Sequence, residues 1–205
     1  MLIRKIHVQL SGNQPVWLLF LLLTIVISVV GCARVSTEPE LPSLETVTSV
    51  DLTRYSGTWY EIARLPMWFQ RDCVASHAIY TLLEDGNVGV KNQCLTTSGD
   101  QKQAQGVATV VDENTNAKLY VVFDNWAAKL FSGWGSAPTE GNYWILYLDL
   151  EYRTALVGTP DREYLWVLSR TPTLDKAIYE KLVSLGKQKG YLTANLIQDS
   201  HPSPP

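Results

Sequence analysis

Tyr55-Ser56-Gly57-Thr58-Trp59-Tyr60-Glu61-Ile62-Ala63-Arg64 is rich in β-branched and aromatic side chains and reads as a strand, with Gly57 as a bend or close-approach position at its start. Far downstream, Leu165-Trp166-Val167-Leu168-Ser169-Arg170-Thr171-Pro172 reads as a second strand that ends on an arginine. If the two strands are neighbours in a closed sheet, the Arg170 guanidinium lies over the Trp59 indole. Such a cation–π contact is worth ~0.5–2 kcal/mol and would plug one end of a barrel. An ordinary core tryptophan beside an exposed strand-end arginine is the alternative for either segment alone.

Upstream of this stretch the chain changes character. Arg4 and Lys5 precede a 15-residue apolar run, Val16 to Val30, interrupted only by Thr24 and Ser28. A bilayer span needs about 20 residues, so the run suits the hydrophobic part of a signal peptide. It leads into Gly31-Cys32, which resembles a bacterial lipobox: residues 1–31 would be removed and Cys32 would carry the lipid, palmitate included. Ala33, in place of an aspartate, points in the Gram-negative pattern to the outer membrane, with the domain facing the periplasm. Residues 32–50, with Pro39 and Pro42 and no periodicity, read as a flexible tether.

Two of the 17 Lys+Arg residues lie in the leader and none of the 20 acids, so the exported chain carries a net charge of −5. An acidic chain without basic clusters is a poor match for nucleic acid. In an exported, oxidising compartment Cys73 and Cys94 favour a disulfide, with two free thiols as the alternative.

The domain, residues 51–198, contains eight short strand signals. They are Gly57 to Leu65, Ser76 to Leu83, Val88 to Leu95, Gln103 to Val111, Ala117 to Phe123, Asn142 to Leu148, Thr154 to Gly158 and Glu163 to Ser169. Turns such as Glu84-Asp85-Gly86-Asn87 separate them, and no helix intervenes. This predicts an all-β fold, an eight-stranded antiparallel up-and-down barrel able to hold one small ligand. Leu174, Ile178, Leu182 and Leu185 recur at helical spacing, capped by Thr171 or Thr173, and predict one C-terminal α-helix packed on the outside. Residues 199–205 read as a disordered tail.

Three motifs in order, GTWYEIAR (Gly57 to Arg64), LDLEYRTALV (Leu148 to Val157) and PDREYLWVLSRTPT (Pro160 to Thr173), resemble the lipocalin family, in particular its bacterial outer-membrane (Blc-type) and apolipoprotein D-like branch. Gly57, Trp59 and Arg170 are then the structural residues of the closed end. If Trp59 points inward, strand alternation sends Glu61 and Ala63 inward too. The family's inward phase adds Ala78, Tyr80, Val88, Val90, Asn92, Leu119, Val121, Phe123, Tyr143, Ile145, Trp166 and Leu168 as ligand-binding positions, a composition suited to an amphiphile. A filled core is the alternative. The resemblance implies fatty acid or lysophospholipid as ligand, no cofactor, a membrane contact through Cys32, compatibility with a homodimer, and a role in envelope maintenance or stress. Porphyrin, retinoid or pigment carriage is the competing ligand class. Two departures stand out: the connection Asp124 to Gly141 is longer and more aromatic than the family leads one to expect, and the cysteine pair is not expected of the bacterial branch.

Of three histidines, His7 lies in the leader and His201 in the tail, leaving His77 alone in the domain. A histidine-dependent triad or multi-histidine zinc site lacks material, so no enzyme and no metal are expected. A cysteine-dependent lipid isomerase is the catalytic alternative. Trp126, Leu130, Phe131 and Trp134 in the long connection suit either a cavity lid or a membrane-docking element.

Overall fold

Asp85-Gly86 and Asp112 to Asn116 do turn the chain back on itself, and each turn joins two antiparallel strands. The computed structural model describes residues 41–124 and 139–201. The elements in order are α1 (Leu52–Tyr55), β1 (Gly57–Arg64), a 3-10 turn (Trp68–Gln70), β2 (Cys73–Leu82), β3 (Val88–Thr96), β4 (Gln101–Val110) and β5 (Lys118–Phe123). Next come β6 (Tyr143–Leu148), β7 (Thr154–Gly158), β8 (Leu165–Ser169), α2 (Lys176–Gln188), a second 3-10 turn (Thr193–Asn195) and β9 (Ile197–Gln198). Consecutive strands pair antiparallel from β2 to β8, β8 pairs β1, and β1 pairs β2 to close an eight-stranded up-and-down barrel.

Closure is incomplete along β1. Gly57 to Tyr60 pair with Tyr80 to His77 of β2, whereas Ala63 and Arg64 pair with Gln198 and Ile197 of β9. The C-terminal segment fills the gap between the two strands: Asp199 N–H donates to Ile62 C=O and Ser200 N–H to Val74 C=O. The expectation of a free tail is therefore corrected for Asp199, Ser200 and His201. The tether is likewise shorter than expected, since Val50 is buried and residues 47 and 50 donate to backbone carbonyls of Ile145 and Thr115.

Two apolar layers result from strand alternation. Trp59, Val90, Val121, Ile145, Val157 and Leu168 point into the barrel. Trp144, Leu146, Leu156, Leu165 and Val167 point outward beneath α2, where Leu182 is fully buried. Gly186 lets the helix approach: a Cβ there would lie 2.9 Å from a Leu165 methyl. The helix is capped by Asp175, whose carboxylate accepts from Ala177 and Ile178 N–H, not by Thr171 or Thr173. A disulfide joins Cys73 to Cys94 across β2 and β3. Among the described residues, no helix is long and apolar enough to cross a membrane.

Candidate functional site: the barrel interior and its two ends

At one end of the barrel the Arg170 guanidinium lies 4.0 Å from the Trp59 ring centroid. Its N–H groups donate to carbonyls of Arg54, Tyr55, Ser56, Thr58 and Tyr152, at 2.7 to 3.1 Å. Trp59 Nε1 donates to Tyr55 C=O at 2.8 Å. Gly57 has φ +97°, a conformation strained for other residues, and a Cβ there would sit 3.2 Å from the arginine. This end is sealed by a cation whose charge is spread over carbonyl dipoles and a π face.

Above Trp59 lies a cavity of about 80 Å³, open at the opposite end. Apolar and aromatic side chains dominate its wall: Trp59, Phe69, Ala78, Tyr80, Val90, Val121, Phe123, Tyr143, Trp166 and Leu168. Its floor is a row of phenols. Tyr143 shares hydrogen bonds of 2.8 Å with Tyr55 and 3.0 Å with Tyr80. Burial raises all three hydroxyls above their ordinary range, Tyr80 to about 12, so they are neutral hydrogen-bonding groups. Beyond them is a second void of about 20 Å³ beside Val88, Ala108 and Leu119.

Polar groups gather nearer the mouth, and a bulge in β1 puts them there. Pairing with β8 slips by one residue between Glu61 and Ala63, which interrupts the alternation. Glu61 stays on the cavity side, Ala63 turns outward under α2, and Arg64 returns to meet Glu61. Arg64 is almost fully buried. It donates to Glu61 Oε1 at 3.0 Å and to Asp199 Oδ1, and its other amino group reaches the carbonyls of Gln70 and Cys73. Asp199 Oδ2 accepts from Ser76 N–H at 2.6 Å, and Gln70 Nε2 donates to Glu61 Oε2 at 3.3 Å. Two carboxylates thus share one guanidinium. Burial, and then the Asp199 charge, push Glu61 up to about 7 against the opposing pull of Arg64. Ser76 Oγ and Asn92 Oδ1, both on atoms sealed from solvent in this wall, have no hydrogen-bond partner.

Of the fifteen positions expected to face the interior, Trp59, Glu61, Ala78, Tyr80, Val90, Asn92, Val121, Phe123, Tyr143, Trp166 and Leu168 line the main cavity. Val88 and Leu119 line the lower void, and Ile145 packs in the inner layer without touching either. Ala63 is the correction: the bulge turns it into the outer layer, and no feature of GTWYEIAR marks the slip. The wall also includes Phe69, Gln70, Ser76, His77, Gln93 and Asn142, which sequence reasoning missed. Phe69 and Gln70 arrive on the first 3-10 turn, outside any strand pattern. Asn142 precedes β6, and its amide bridges Val121 N–H and C=O at 2.7 and 3.0 Å where β5 and β6 have stopped pairing. Trp126, Leu130, Phe131 and Trp134, like Cys32, lie outside the described residues.

A family model described as a lipocalin-like domain matches residues 50–201. Temperature-induced lipocalin-1 of Arabidopsis thaliana is 37% identical over 154 residues, covering 74% of this chain and 80% of the relative. Outer membrane lipoprotein Blc of Escherichia coli (strain K12) is 35% identical over 175 residues, covering 85% and 90%. Apolipoprotein D of Bos taurus is 32% identical over 155 residues, covering 72% of each. Among solved structures, insecticyanin of the tobacco hornworm Manduca sexta superposes with a TM-score of 0.55 at 16% identity over 79% of this chain and 86% of that one, a likeness of fold.

Proposed function

Because this chain belongs to the lipocalin family, we propose that it binds and carries a single-chain lipid, such as a fatty acid or lysophospholipid, in the barrel cavity. The observation that carries the reading is the one-ended cavity: apolar and aromatic walls, a sealed base, and a few polar groups toward the mouth. Its size narrows the ligand. About 80 Å³ is well below the few hundred Å³ of a usual ligand pocket, so the resting cavity takes only a few methylenes. Each contributes ~0.8 kcal/mol, and micromolar binding, about −8 kcal/mol, needs ten or so. The aromatic groups at the mouth, Phe69 and Trp166, must therefore move aside by a few methylenes' worth of space. A porphyrin or other macrocycle requires far more.

Mass spectrometry of lipid released by denaturing the purified protein tests this reading, together with quenching of Trp59 and Trp166 by fluorescent acyl ligands added to delipidated protein. Ala78→Trp, which fills the cavity from the wall, should abolish quenching while leaving the fold intact. Acyl ligand bound equally by Ala78→Trp and the parent places binding outside the barrel. The small void favours one other reading, a filled barrel that serves as a scaffold for its mouth loops, and protein that neither carries nor takes up lipid would establish it.

We also propose that Cys32 is lipidated after removal of residues 1–31 and holds the domain at the outer membrane, facing the periplasm. Support comes from the lipobox-like Gly31-Cys32 and from relatives named as outer membrane lipoproteins in Escherichia coli and Vibrio cholerae. Cys32→Ser should move the protein to the soluble periplasmic fraction. A role in envelope maintenance or stress draws support from the relative named temperature-induced lipocalin-1.

A further inference from the structure

Resting on the reading that Cys32 is lipidated, we propose that the barrel stands with its open mouth against the surface of the anchoring phospholipid bilayer. Trp68 is set in the interface, and a lipid passes between bilayer and cavity without crossing open water. The first ground is where the described chain begins. β1 runs from the closed end to the mouth, so the β1–β2, β3–β4, β5–β6 and β7–β8 connections of this up-and-down barrel all lie at the mouth. Arg162, in the last of them, donates through Nη2 to Pro42 C=O. From there the chain descends the outside of the barrel. Lys189 Nζ donates to Glu45 C=O, Val47 N–H to Ile145 C=O, and Val50 N–H to Thr115 C=O in the β4–β5 turn at the closed end. Nine residues separate Cys32 from Leu41, a reach of at most about 32 Å. A ten-residue strand such as β2, about 34 Å long and tilted by roughly 40°, places the closed end ~26 Å from the mouth. Turning the closed end to the membrane would draw the tether almost straight; turning the mouth to it leaves the tether slack.

The second ground is what each end exposes. Trp68, on the first 3-10 turn, is 54% exposed, the only tryptophan left so among the described residues. It stands at the outer end of an aromatic row that leads through Phe69 and Tyr164 to Trp166 in the cavity wall, with ring centroids 5.7 to 6.3 Å apart. Leu41, Leu192 and Ile197 are also exposed at this end, on segments bonded to the β7–β8 turn or paired with Arg64. An indole with one apolar side and one wet side is favoured at a membrane–water interface. The closed end exposes Leu82, Leu83 and Leu150, but its turns hold Glu84, Asp85, Asp112, Glu113, Asp149 and Glu151 against Arg153 alone. The described connections at the mouth also hold six acids, set against Arg71, Arg162 and, at the end of α2 that bonds to Arg162, Lys187 and Lys189. Anionic phospholipid therefore repels the closed end more strongly, and the bilayer meets the aromatic, more nearly balanced end.

Photocrosslinking tests the orientation. Full-length protein is expressed with p-azidophenylalanine in place of Trp68, Leu192, Leu83 or Leu150, all of them exposed, so that no variant disturbs the core. The lipidated product is reconstituted in vesicles of phosphatidylethanolamine and phosphatidylglycerol and illuminated. Its intact mass is then read for addition of a two-chain phospholipid, a mass that no single-chain cavity ligand gives. The azide reacts on contact and the closed end stands ~26 Å off the surface, so positions 68 and 192 should give about tenfold more adduct than 83 and 150. Equal adducts at the two ends, more at 83 or 150, or none at any position on vesicle-bound protein overturns the orientation while leaving the anchor intact. Protein recovered without lipid on Cys32 and free of the vesicles overturns anchor and orientation together.

Discussion

β1 carries a buried or half-buried arginine contact at each end, and the two ends solve the same problem differently. At the closed end Arg170 meets no carboxylate among the described residues; five carbonyls and the Trp59 face surround it. At the open end Arg64 meets two carboxylates and two carbonyls, inside a wall that leaves Ser76 and Asn92 unsatisfied. The first arrangement is complete in itself and holds the chain crossing of α1, β1 and β8. The second has an acid too many and buried hydrogen-bonding atoms left without partners, so it is the less settled of the two.

Breaking the open end should have the larger effect. Arg64→Leu strands Glu61 and Asp199 without their cation and should cost about 3–5 kcal/mol in urea unfolding at neutral pH, a melting temperature lower by roughly 6–20 °C. The Cys73–Cys94 disulfide, whose Cys73 carbonyl also binds Arg64, closes 21 residues. Its removal as Cys73→Ser/Cys94→Ser should cost about 3 kcal/mol. At the closed end Arg170→Lys keeps the charge and loses the planar fork, so a loss of about 2 kcal/mol with a changed near-UV signal from Trp59 is expected. Gly57→Ala, forced into φ +97° against the arginine, should cost about 1 kcal/mol. An Arg170→Lys loss exceeding that of Arg64→Leu would reverse the comparison.

The last prediction is a slope. Glu61 takes its proton more readily folded, at about 7, than unfolded, near 4.5. Between those values the folded state binds more protons, so stability is fully present below about pH 4.5 and falls as pH rises to 7. Glu61→Gln should flatten that part of the stability profile.

Much of this architecture was legible in the sequence because it depends on short-range regularities. Alternating strands, Asp-Gly turns and a helical apolar stripe require only local spacing, and they located all eight strands and α2. The strand ends were less legible: β2 begins at Cys73, three residues before the expected Ser76, because its first residues pair with the far end of β3. The alternation rule failed at Ala63 because a bulge is a property of two strands in register, and β8 lies a hundred residues away. The helix cap was misplaced because several polar residues precede α2 and only the backbone geometry selects Asp175.

The candidate site divides along the same line. Residues held by alternation, such as Tyr80, Val90, Val121 and Leu168, were reachable from sequence. Phe69, Gln70, Asn142 and Asp199 were not, since each comes to the cavity or its acid cluster from a turn, a strand edge or the C-terminal segment. The sequence by itself determined the eight-strand meander, the outer helix and the Trp59–Arg170 pairing, all consequences of local pattern or of motifs at the ends of paired strands. The tertiary structure alone decided how much space remains inside and where charge is left over. Volume and satisfaction are sums over residues distant in the chain, and no local pattern encodes a sum.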